Sequence, residues 1–133
     1  MNKILKFFFK TSYLALAWTI LIQVLLCLPG SAIPDEGAFI PNIDKIVHTI
    51  LFGGFTAFWC LYVNGKGYSI RKKAGLFFLM YLLACLDGIM MEYVQKYYIP
   101  NRSFDQGDII VDVLSASISY GLCNVYLLFE PRS

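Results

Sequence analysis

Four apolar runs follow one another along the chain, and short polar segments separate them. The runs cover residues of about 11–28, 46–63, 74–94 and 108–129. Each run approaches the ~20 residues that an α-helix needs to cross the hydrocarbon core of a bilayer. The pattern therefore predicts an all-α polytopic membrane protein, a bundle of four transmembrane helices formed by a single domain over residues 1–133.

The composition favours the same class of protein. Of the 133 residues, 58% are hydrophobic and 15% are charged, whereas a soluble domain is roughly 45–50% apolar and about 25% charged. We therefore expect the lipid bilayer to be a partner. The charge distribution shows no basic patch of the kind that points to nucleic acid, so a nucleic-acid partner is not expected. The four cysteines form no Cys-x-x-Cys pair and are interpreted as small buried apolar residues.

The basic residues are distributed unevenly between the two sides of the predicted bundle. Eight of the 11 Lys and Arg residues lie in the N-terminal segment, in segment 64–73 or in the C-terminal tail. The other three are Lys45, Lys96 and Arg102. Because cytoplasmic segments carry an excess of Lys and Arg, both termini are predicted to be cytoplasmic. Eight of the nine acidic residues then fall on the extracytoplasmic side or in the outer half of a span.

Small residues spaced four apart mark helix faces that can pack closely. Gly53 and Ala57 have this spacing in the second run, and Ser115 and Ser119 have it in the fourth. Small side chains let two helix backbones approach each other in a membrane. These faces are therefore predicted to be helix–helix contacts.

Ionisable side chains gather at the outer ends of the second, third and fourth runs. A spacing of three or four residues places the two members of each of three pairs on one helix face. The pairs are Asp44 with His48, Glu92 with Gln95, and Asp108 with Asp112. Arg102 and Asp105 lie in the loop between the third and fourth runs. Because ionisable groups at the mouth of a span are costly to desolvate, the cluster indicates function.

Each of these residues, taken alone, also has a structural explanation, such as capping a helix or anchoring a loop. Asp87 lies off the shared face and is expected to be structural. The whole set exceeds those needs, because one arginine and one lysine cannot neutralise the acids of this face. Protonated carboxylates, a bound cation or a ligand with positive groups would each resolve the surplus.

The motifs resemble those of the VanZ-like family of small bacterial membrane proteins. The resemblance rests on Asp44-Lys45-x-x-His48, on Glu92-x-x-Gln95 and on Arg102-Ser103-x-Asp105-x-x-Asp108, within roughly residues 41–121. The family takes its name from a member associated with low-level resistance to the glycopeptide teicoplanin. The resemblance implies a multi-pass protein of the bacterial cell membrane, and the distribution of charged residues predicts an extracytoplasmic functional face. The family usually has Asn four residues after the last of these Asp residues, where this chain has Asp112.

Two functions are open at this point. The first is teicoplanin-type glycopeptide resistance, or binding of a lipid-linked precursor or a lipoglycopeptide, at the outward-facing polar site. The alternative is an intramembrane enzyme. Its carboxylate, histidine and arginine groups would perform acid–base or metal-assisted chemistry on the headgroup of a lipid or a cell-wall precursor.

Three overlapping sets of residues are predicted for the site. The ligand-binding set is Asp44, Lys45, His48, Glu92, Gln95, Arg102, Asp105, Asp108 and Asp112. The candidate catalytic residues are His48, Glu92 and Asp108. A divalent cation is a candidate cofactor, with candidate ligands His48, Glu92, Asp105, Asp108 and Asp112. Carboxylate-rich sets favour Mg²⁺, Ca²⁺ or Mn²⁺ over Zn²⁺.

Arg102 carries a more specific prediction. A guanidinium stays protonated at any accessible pH, so near a membrane it requires an anionic partner. We predict that Arg102 pairs with at least one of the three acids nearest to it in the sequence pattern. These acids are Glu92, Asp105 and Asp108.

Overall fold

The computed structural model describes residues 12–33 and 41–129, and within them it contains four α-helices and no β-strand. The helices are α1 (Tyr13–Leu26), α2 (Ile43–Asn64), α3 (Ile70–Tyr98) and α4 (Gln106–Phe129), and a 3₁₀ turn spans Gly30–Ala32. The all-α prediction is therefore confirmed for this part of the chain. The predicted cytoplasmic position of both termini concerns residues outside the described ones.

Three helices are long and apolar enough to cross a membrane. They are α2 with 22 residues, α3 with 29 and α4 with 24, which at 1.5 Å per residue are ~33–44 Å long. Helix α1 has 14 residues and is therefore short of the ~30 Å hydrocarbon core. The predicted first span, 11–28, is thus longer than the helix observed there, and Thr11 lies outside the described residues.

The helix ends extend beyond the apolar runs because polar residues add helical turns. Helix α3 begins at Ile70 rather than at residue 74, since the Ser69 side chain accepts a hydrogen bond from the Lys72 amide (3.4 Å) and caps the helix. Helix α2 begins at Ile43. Asn42 occupies its N-cap position with a left-handed backbone (φ 56°), but its side chain makes no cap hydrogen bond.

Helix α4 packs against α2 and α3, α2 also packs against α3, and α1 packs against α2. Small residues allow the α2–α4 contact, as predicted. The Ser119 hydroxyl donates a hydrogen bond to the Gly53 carbonyl (2.8 Å), and a Cβ atom on Gly53 would lie 3.5–3.7 Å from Ser119 and Ser115. Helices α2 and α4 begin at the same end of the bundle, and α3 ends there.

The outer surface of the bundle is apolar. Leu79, Leu82, Leu83 and Leu86 of α3 are each at least 40% exposed. Large exposed apolar patches are rare on soluble monomers, and a lipid-facing surface requires them. The interior core between the helices includes Phe52 and other apolar side chains. This distribution is that of a membrane protein.

Candidate functional site

One end of the bundle holds a set of ionisable residues that we call the polar cluster. Its members are Asp44, Lys45, His48, Glu92, Arg102, Asp105, Asp108 and Asp112. Asp44 and Asp108 lie in the first turns of α2 and α4. A carboxylate is stabilised there by the positive end of the helix dipole. The backbone of this end therefore favours negative charge.

Lys45 connects α2 to the loop before α4 and to α4 itself. Its Nζ atom lies 2.7 Å from Asp105 Oδ2 and 3.0 Å from Asp108 Oδ1. Asp105 Oδ1 also accepts a hydrogen bond from the Gly107 amide (2.6 Å). The Lys45 ammonium, together with that amide, holds the pKa of the Asp105 carboxyl below its ordinary value. Asp105 is thus a charged anchor of the loop.

His48 is buried between α2 and α4, with 1% of its surface exposed. Its Nδ1 atom lies 2.9 Å from Asp112 Oδ1. An ionised carboxylate only accepts hydrogen bonds, so with Asp112 ionised Nδ1 carries the proton and Nε2 of the neutral ring presents its lone pair. Asp112 therefore fixes both the orientation and the tautomer of His48, as a carboxylate does for a general base or for a metal-ligating histidine.

The other ring nitrogen of His48 faces two carboxylates. Nε2 lies 4.0 Å from Asp44 Oδ1 and 3.9 Å from Asp108 Oδ2. Both separations are too long for a hydrogen bond. One ligand atom of each residue lies within 4.8 Å of the other two, and these three residues could hold a metal ion.

Arg102 extends from the α3–α4 loop towards the start of α2. Its side chain is 13% exposed, and Nη1 lies 4.0 Å from Asp44 Oδ1, beyond hydrogen-bond range. The partner predicted from the sequence is wrong, because within the described residues the paired acid is Asp44 rather than Glu92, Asp105 or Asp108. Asp44 is distant in the sequence, and only the relative positions of α2 and the loop bring it close.

Glu92 and Gln95 lie one turn apart on α3 but have different partners. Glu92 Oε2 accepts a hydrogen bond from the Asp105 amide (2.9 Å), so Glu92 holds the loop in place. Gln95 Nε2 donates to the Leu26 carbonyl (2.9 Å) at the end of α1. Gln95 was predicted to bind ligand, but its side-chain amide instead joins α3 to α1.

Hydrogen bonding is incomplete in the polar cluster. Within the described residues, the buried side-chain atoms without a hydrogen-bond partner are His48 Nε2, Glu92 Oε1, Arg102 Nε and Asp112 Oδ2. All four belong to the polar cluster. Buried polar atoms are partnered in the great majority of cases, and each unpartnered one costs about 1–3 kcal/mol. The fold alone gives no reason to concentrate such atoms at one end.

Two glycines that the sequence analysis did not single out shape the polar cluster. A Cβ atom on Gly88 would lie 2.8 Å from Asp112 Oδ2, so only glycine leaves room for Asp112 against α3. A Cβ atom on Gly30 would collide with the Asn101 carbonyl. The Gly30 amide donates to the Pro100 carbonyl (3.0 Å), which holds the loop carrying Arg102 against the segment after α1. No periodicity in the sequence reveals such contacts.

Asp87, expected to be structural, lies away from these contacts. Gln23 Nε2 donates to both of its carboxylate oxygens, at 3.0 and 2.8 Å. This bond joins α1 to α3 inside the bundle. Asp87 therefore serves as a control, because it is an acid whose hydrogen-bond partner lies outside the polar cluster.

The structure brings eight of the nine predicted ligand-binding residues into one connected set. Contacts run from Glu92 through Asp105, Lys45, Asp108 and His48 to Asp44 and Arg102, with Asp112 behind His48. The ninth residue, Gln95, bonds to the α1 backbone instead. Of the five predicted metal ligands, His48 and Asp108 lie in the group that could hold an ion, and Asp44 joins them.

Comparisons of the chain with protein-family models, with curated proteins and with solved structures find no match.

Proposed function

We propose that the chain is a VanZ-like integral membrane protein of the bacterial cell envelope. Its polar cluster faces the extracytoplasmic side and binds a lipid-linked or lipophilic envelope molecule, such as a cell-wall precursor or a teicoplanin-type glycopeptide. Protection against such a glycopeptide is the cellular role that this binding would have. The family assignment rests on the three motifs and on their convergence in space.

The observation that carries the proposal is the concentration of unpartnered buried atoms around Arg102. The Arg102 side chain is 13% exposed, and the acid nearest to its guanidinium, Asp44, is 4.0 Å away. A guanidinium cannot shed its charge, and it recognises phosphates and carboxylates by two parallel hydrogen bonds. An anionic headgroup at this position would supply the acceptors that the described residues do not supply.

The surroundings of the polar cluster suit an amphiphilic ligand. The cluster lies where α2 and α4 begin, and the helix surfaces that continue from it are apolar. Tyr93 and Phe104 pack against each other nearby, with ring centroids 5.3 Å apart. A molecule with a polar head and a fatty chain, which teicoplanin is, could therefore place its head in the cluster and its chain in the lipid.

The extracytoplasmic orientation follows from the eight Lys and Arg residues on the opposite side against three on this one. Lys45 and Arg102, two of those three, are engaged with acids of the polar cluster.

The test is the variant Arg102→Lys, because lysine keeps the charge but loses the planar fork. The protein is expressed in a teicoplanin-susceptible bacterial host. Resistance to teicoplanin and the levels of lipid-linked precursors are then measured beside the wild type. We expect normal membrane levels and thermal stability with loss of protection and of any change in precursor levels. Arg71→Lys, at the opposite end of α3 and exposed, is the matched control.

An Arg102→Lys variant that folds and protects like the wild type would return Arg102 to a purely structural role. A wild type that changes neither teicoplanin resistance nor precursor levels would contradict the proposed function as a whole. Vancomycin, a glycopeptide without the fatty chain, serves as the ligand control. Equal protection against both would remove the role assigned to the lipophilic part.

A second candidate function is favoured by the Asp112–His48 pair. An oriented imidazole with a free lone pair is the arrangement of a general base. An intramembrane enzyme would use it on the headgroup of a lipid-linked precursor. Mass spectrometry of such a precursor incubated with the protein in nanodiscs distinguishes the two functions. A new product that disappears in His48→Gln indicates an enzyme, and unchanged precursor indicates binding alone.

A further inference from the structure

We propose that Asp44, His48 and Asp108 bind one divalent transition-metal ion at the start of α2 and α4. Asp112 would act behind His48 as a positioning residue. This inference deepens the proposed function, because the ion would lie beside the Arg102 side chain where the anionic headgroup is expected to bind. It can nevertheless be tested without that ligand.

The geometry points to an ion because a buried polar atom is aimed at the acids without bonding to them. His48 is 1% exposed, and its Nε2 atom has no hydrogen-bond partner. That atom lies 4.0 Å from Asp44 Oδ1 and 3.9 Å from Asp108 Oδ2. Two ligand atoms on one ion, with bonds of about 2.0–2.2 Å, lie ~3–3.5 Å apart. All three ligand atoms lie within 4.8 Å of one another, so side-chain movements of about an ångström would complete the coordination.

Asp112 makes His48 a prepared ligand. A histidine that binds a metal almost always donates its other ring N–H to a carboxylate or a carbonyl, which fixes the ring and makes the ligating nitrogen more basic. The 2.9 Å contact between His48 Nδ1 and Asp112 Oδ1 is such a bond. Gly88 makes the arrangement possible by leaving space for the Asp112 carboxylate.

The charges of the polar cluster favour a further cation. The cluster contains five carboxylates, on Asp44, Glu92, Asp105, Asp108 and Asp112, and two fixed positive charges, on Lys45 and Arg102. With His48 neutral and all acids ionised, the balance is −3. One divalent ion brings it to −1. Of the two Asp108 oxygens, Lys45 holds Oδ1, so Oδ2 remains for the ion. Asp44 Oδ1 lies 4.0 Å from both His48 Nε2 and Arg102 Nη1, so the ion and the guanidinium would share the Asp44 carboxylate.

The donor set indicates the class of ion. Imidazole suits Zn²⁺ and the other late transition metals, whereas carboxylates suit Mg²⁺, Ca²⁺ and Mn²⁺. One imidazole with two carboxylates and open positions for water is a set that Mn²⁺ and Zn²⁺ both accept. Such an ion would polarise a phosphate or carbonyl oxygen of the headgroup.

The experiment uses the full chain in nanodiscs, stripped of metal with a chelator. Mn²⁺ is titrated while the electron paramagnetic resonance signal of the free ion is followed, and Zn²⁺ is then added as a competitor. We expect one ion per chain. Pulsed measurements on bound Mn²⁺ should show coupling to an imidazole nitrogen, which the chain's single histidine must supply. A wild type without stoichiometric binding, or without that coupling, would overturn the proposal.

Four variants then assign the ligands. Asp112→Asn should weaken Mn²⁺ binding by about 10–100-fold, and Asp44→Asn, His48→Gln and Asp108→Asn should weaken it by more. Asp87→Asn is the control, because Asp87 is a partly buried acid bonded to Gln23. Unchanged affinity in a folded His48→Gln variant would overturn the proposal, as would an equal loss in Asp87→Asn. If instead Asp44 and Asp108 share a proton, the wild type binds no ion, which is the first overturning outcome.

The two proposals fail in different ways. Glycopeptide protection that persists in a chain shown to bind no Mn²⁺ or Zn²⁺ would leave the proposed function standing and remove the metal site. Stoichiometric Mn²⁺ binding by a chain that changes neither resistance nor precursor levels would do the opposite. Glu92→Gln separates them further, because Glu92 contacts the loop and not the ion. We expect it to impair protection, while the loss of one nearby carboxylate charge should lower Mn²⁺ affinity much less than the loss of a ligand does.

Discussion

The two ends of the α2–α4 helix pair are built from different chemistry. At one end, the polar cluster places His48 and Asp112 in contact between the helices. At the other end, an apolar core is formed by Cys60, Val63, Phe77 and Leu127. Beside it lies a partly open cleft of about 140 Å³, lined by apolar and thiol side chains together with Asn64 and Tyr126. The contact between Gly53 and Ser119 lies between the two ends.

This difference shows what holds the bundle together. The apolar end joins the helices through an apolar core without buried carboxylates or bases, so such groups are not needed to join α2 to α4. In a membrane, helices associate mainly by close packing and a few hydrogen bonds. The polar cluster adds unpartnered atoms, which destabilise the fold. Buried ionisable groups that destabilise the fold are expected where they are needed for function.

The largest effect is expected for Gly30→Ala, which acts at the polar end through the loop. The added Cβ atom would collide with the Asn101 backbone, and a backbone obstacle cannot rotate away. We expect a loss of stability of about 3 kcal/mol and displacement of the loop that carries Arg102. Thermal unfolding in detergent and the teicoplanin assay measure the two effects. Gly67→Ala is the control, because nothing lies within 4 Å of a Cβ atom there. Equal behaviour of both variants would contradict the tight contact.

The sequence predicted the long elements better than their contacts. Apolar runs of about 20 residues identified α2, α3 and α4, because a bilayer imposes that length. Their first residues were misplaced by two to four positions and their last residues by none to four, since turns such as Ile70–Lys73 remain helical beyond the apolar run. Helix α1 was predicted too long because an apolar run does not say where helical geometry stops.

For the candidate site too, the sequence predicted neighbours within one helix better than contacts between helices. Pairs spaced by four residues, such as Asp44 with His48, could be assigned to one face because that distance is fixed within a helix. The contacts of Arg102 with Asp44 and of Gln95 with the Leu26 carbonyl depend on how separate helices are rotated and shifted. Local periodicity carries no information on that. The role of Gly88 follows from the same cause, because it depends on a side chain of another helix.

The second largest effect is expected for Phe77→Ala at the apolar end. Phe77 is 1% exposed, and its truncation leaves a cavity of ~100 Å³, which at ~24 cal/mol per Å³ costs about 2 kcal/mol. The transfer part of the usual cost is small here, because lipid is as apolar as the core. We expect lower thermal stability with unchanged Mn²⁺ affinity and unchanged protection at temperatures where the variant is folded. Phe78→Ala, at a 48% exposed neighbour, is the matched control. Loss of Mn²⁺ binding in folded Phe77→Ala would show that the ends are coupled.

Gly88→Ala should separate function from stability at the polar end. Alanine in place of glycine favours a helix by about 1 kcal/mol, which offsets part of the steric cost of a Cβ atom 2.8 Å from Asp112 Oδ2. We therefore expect a net loss of stability of about 1 kcal/mol. Because Asp112 must move away from His48, Mn²⁺ affinity should fall at least ~10-fold. Gly121→Ala, at a helical glycine with open space around it, should leave the affinity unchanged. Wild-type affinity in Gly88→Ala would argue against the positioning role of Asp112.

The smallest effect on stability is expected for Asp105→Asn, and the size of this effect depends on pH. Lys45 lowers the pKa of the Asp105 carboxyl in the folded protein, so the carboxylate contributes stability above the unfolded pKa of about 3.9. That contribution is lost as the pH falls through the lower folded value. The side chains of Lys45 and Asp105 are 35% and 48% exposed, and solvent screening limits the contribution to about 0.2–1 kcal/mol. Lys45 retains Asp108 as a partner in the variant, so no charge is left without an acid. The difference in unfolding free energy between the wild type and Asp105→Asn should therefore be constant from about pH 5 to 8 and should shrink below about pH 4.

Ser103→Ala, exposed in the same loop, should show neither the loss of stability nor its pH dependence. A difference that instead changes between pH 8 and 5 would mean that Asp105 titrates there. In that case the Asp105 carboxyl would hold its proton more tightly than a free carboxyl group, as a desolvated and unpaired carboxylate does. This result would contradict the role of Asp105 as the charged anchor of the loop.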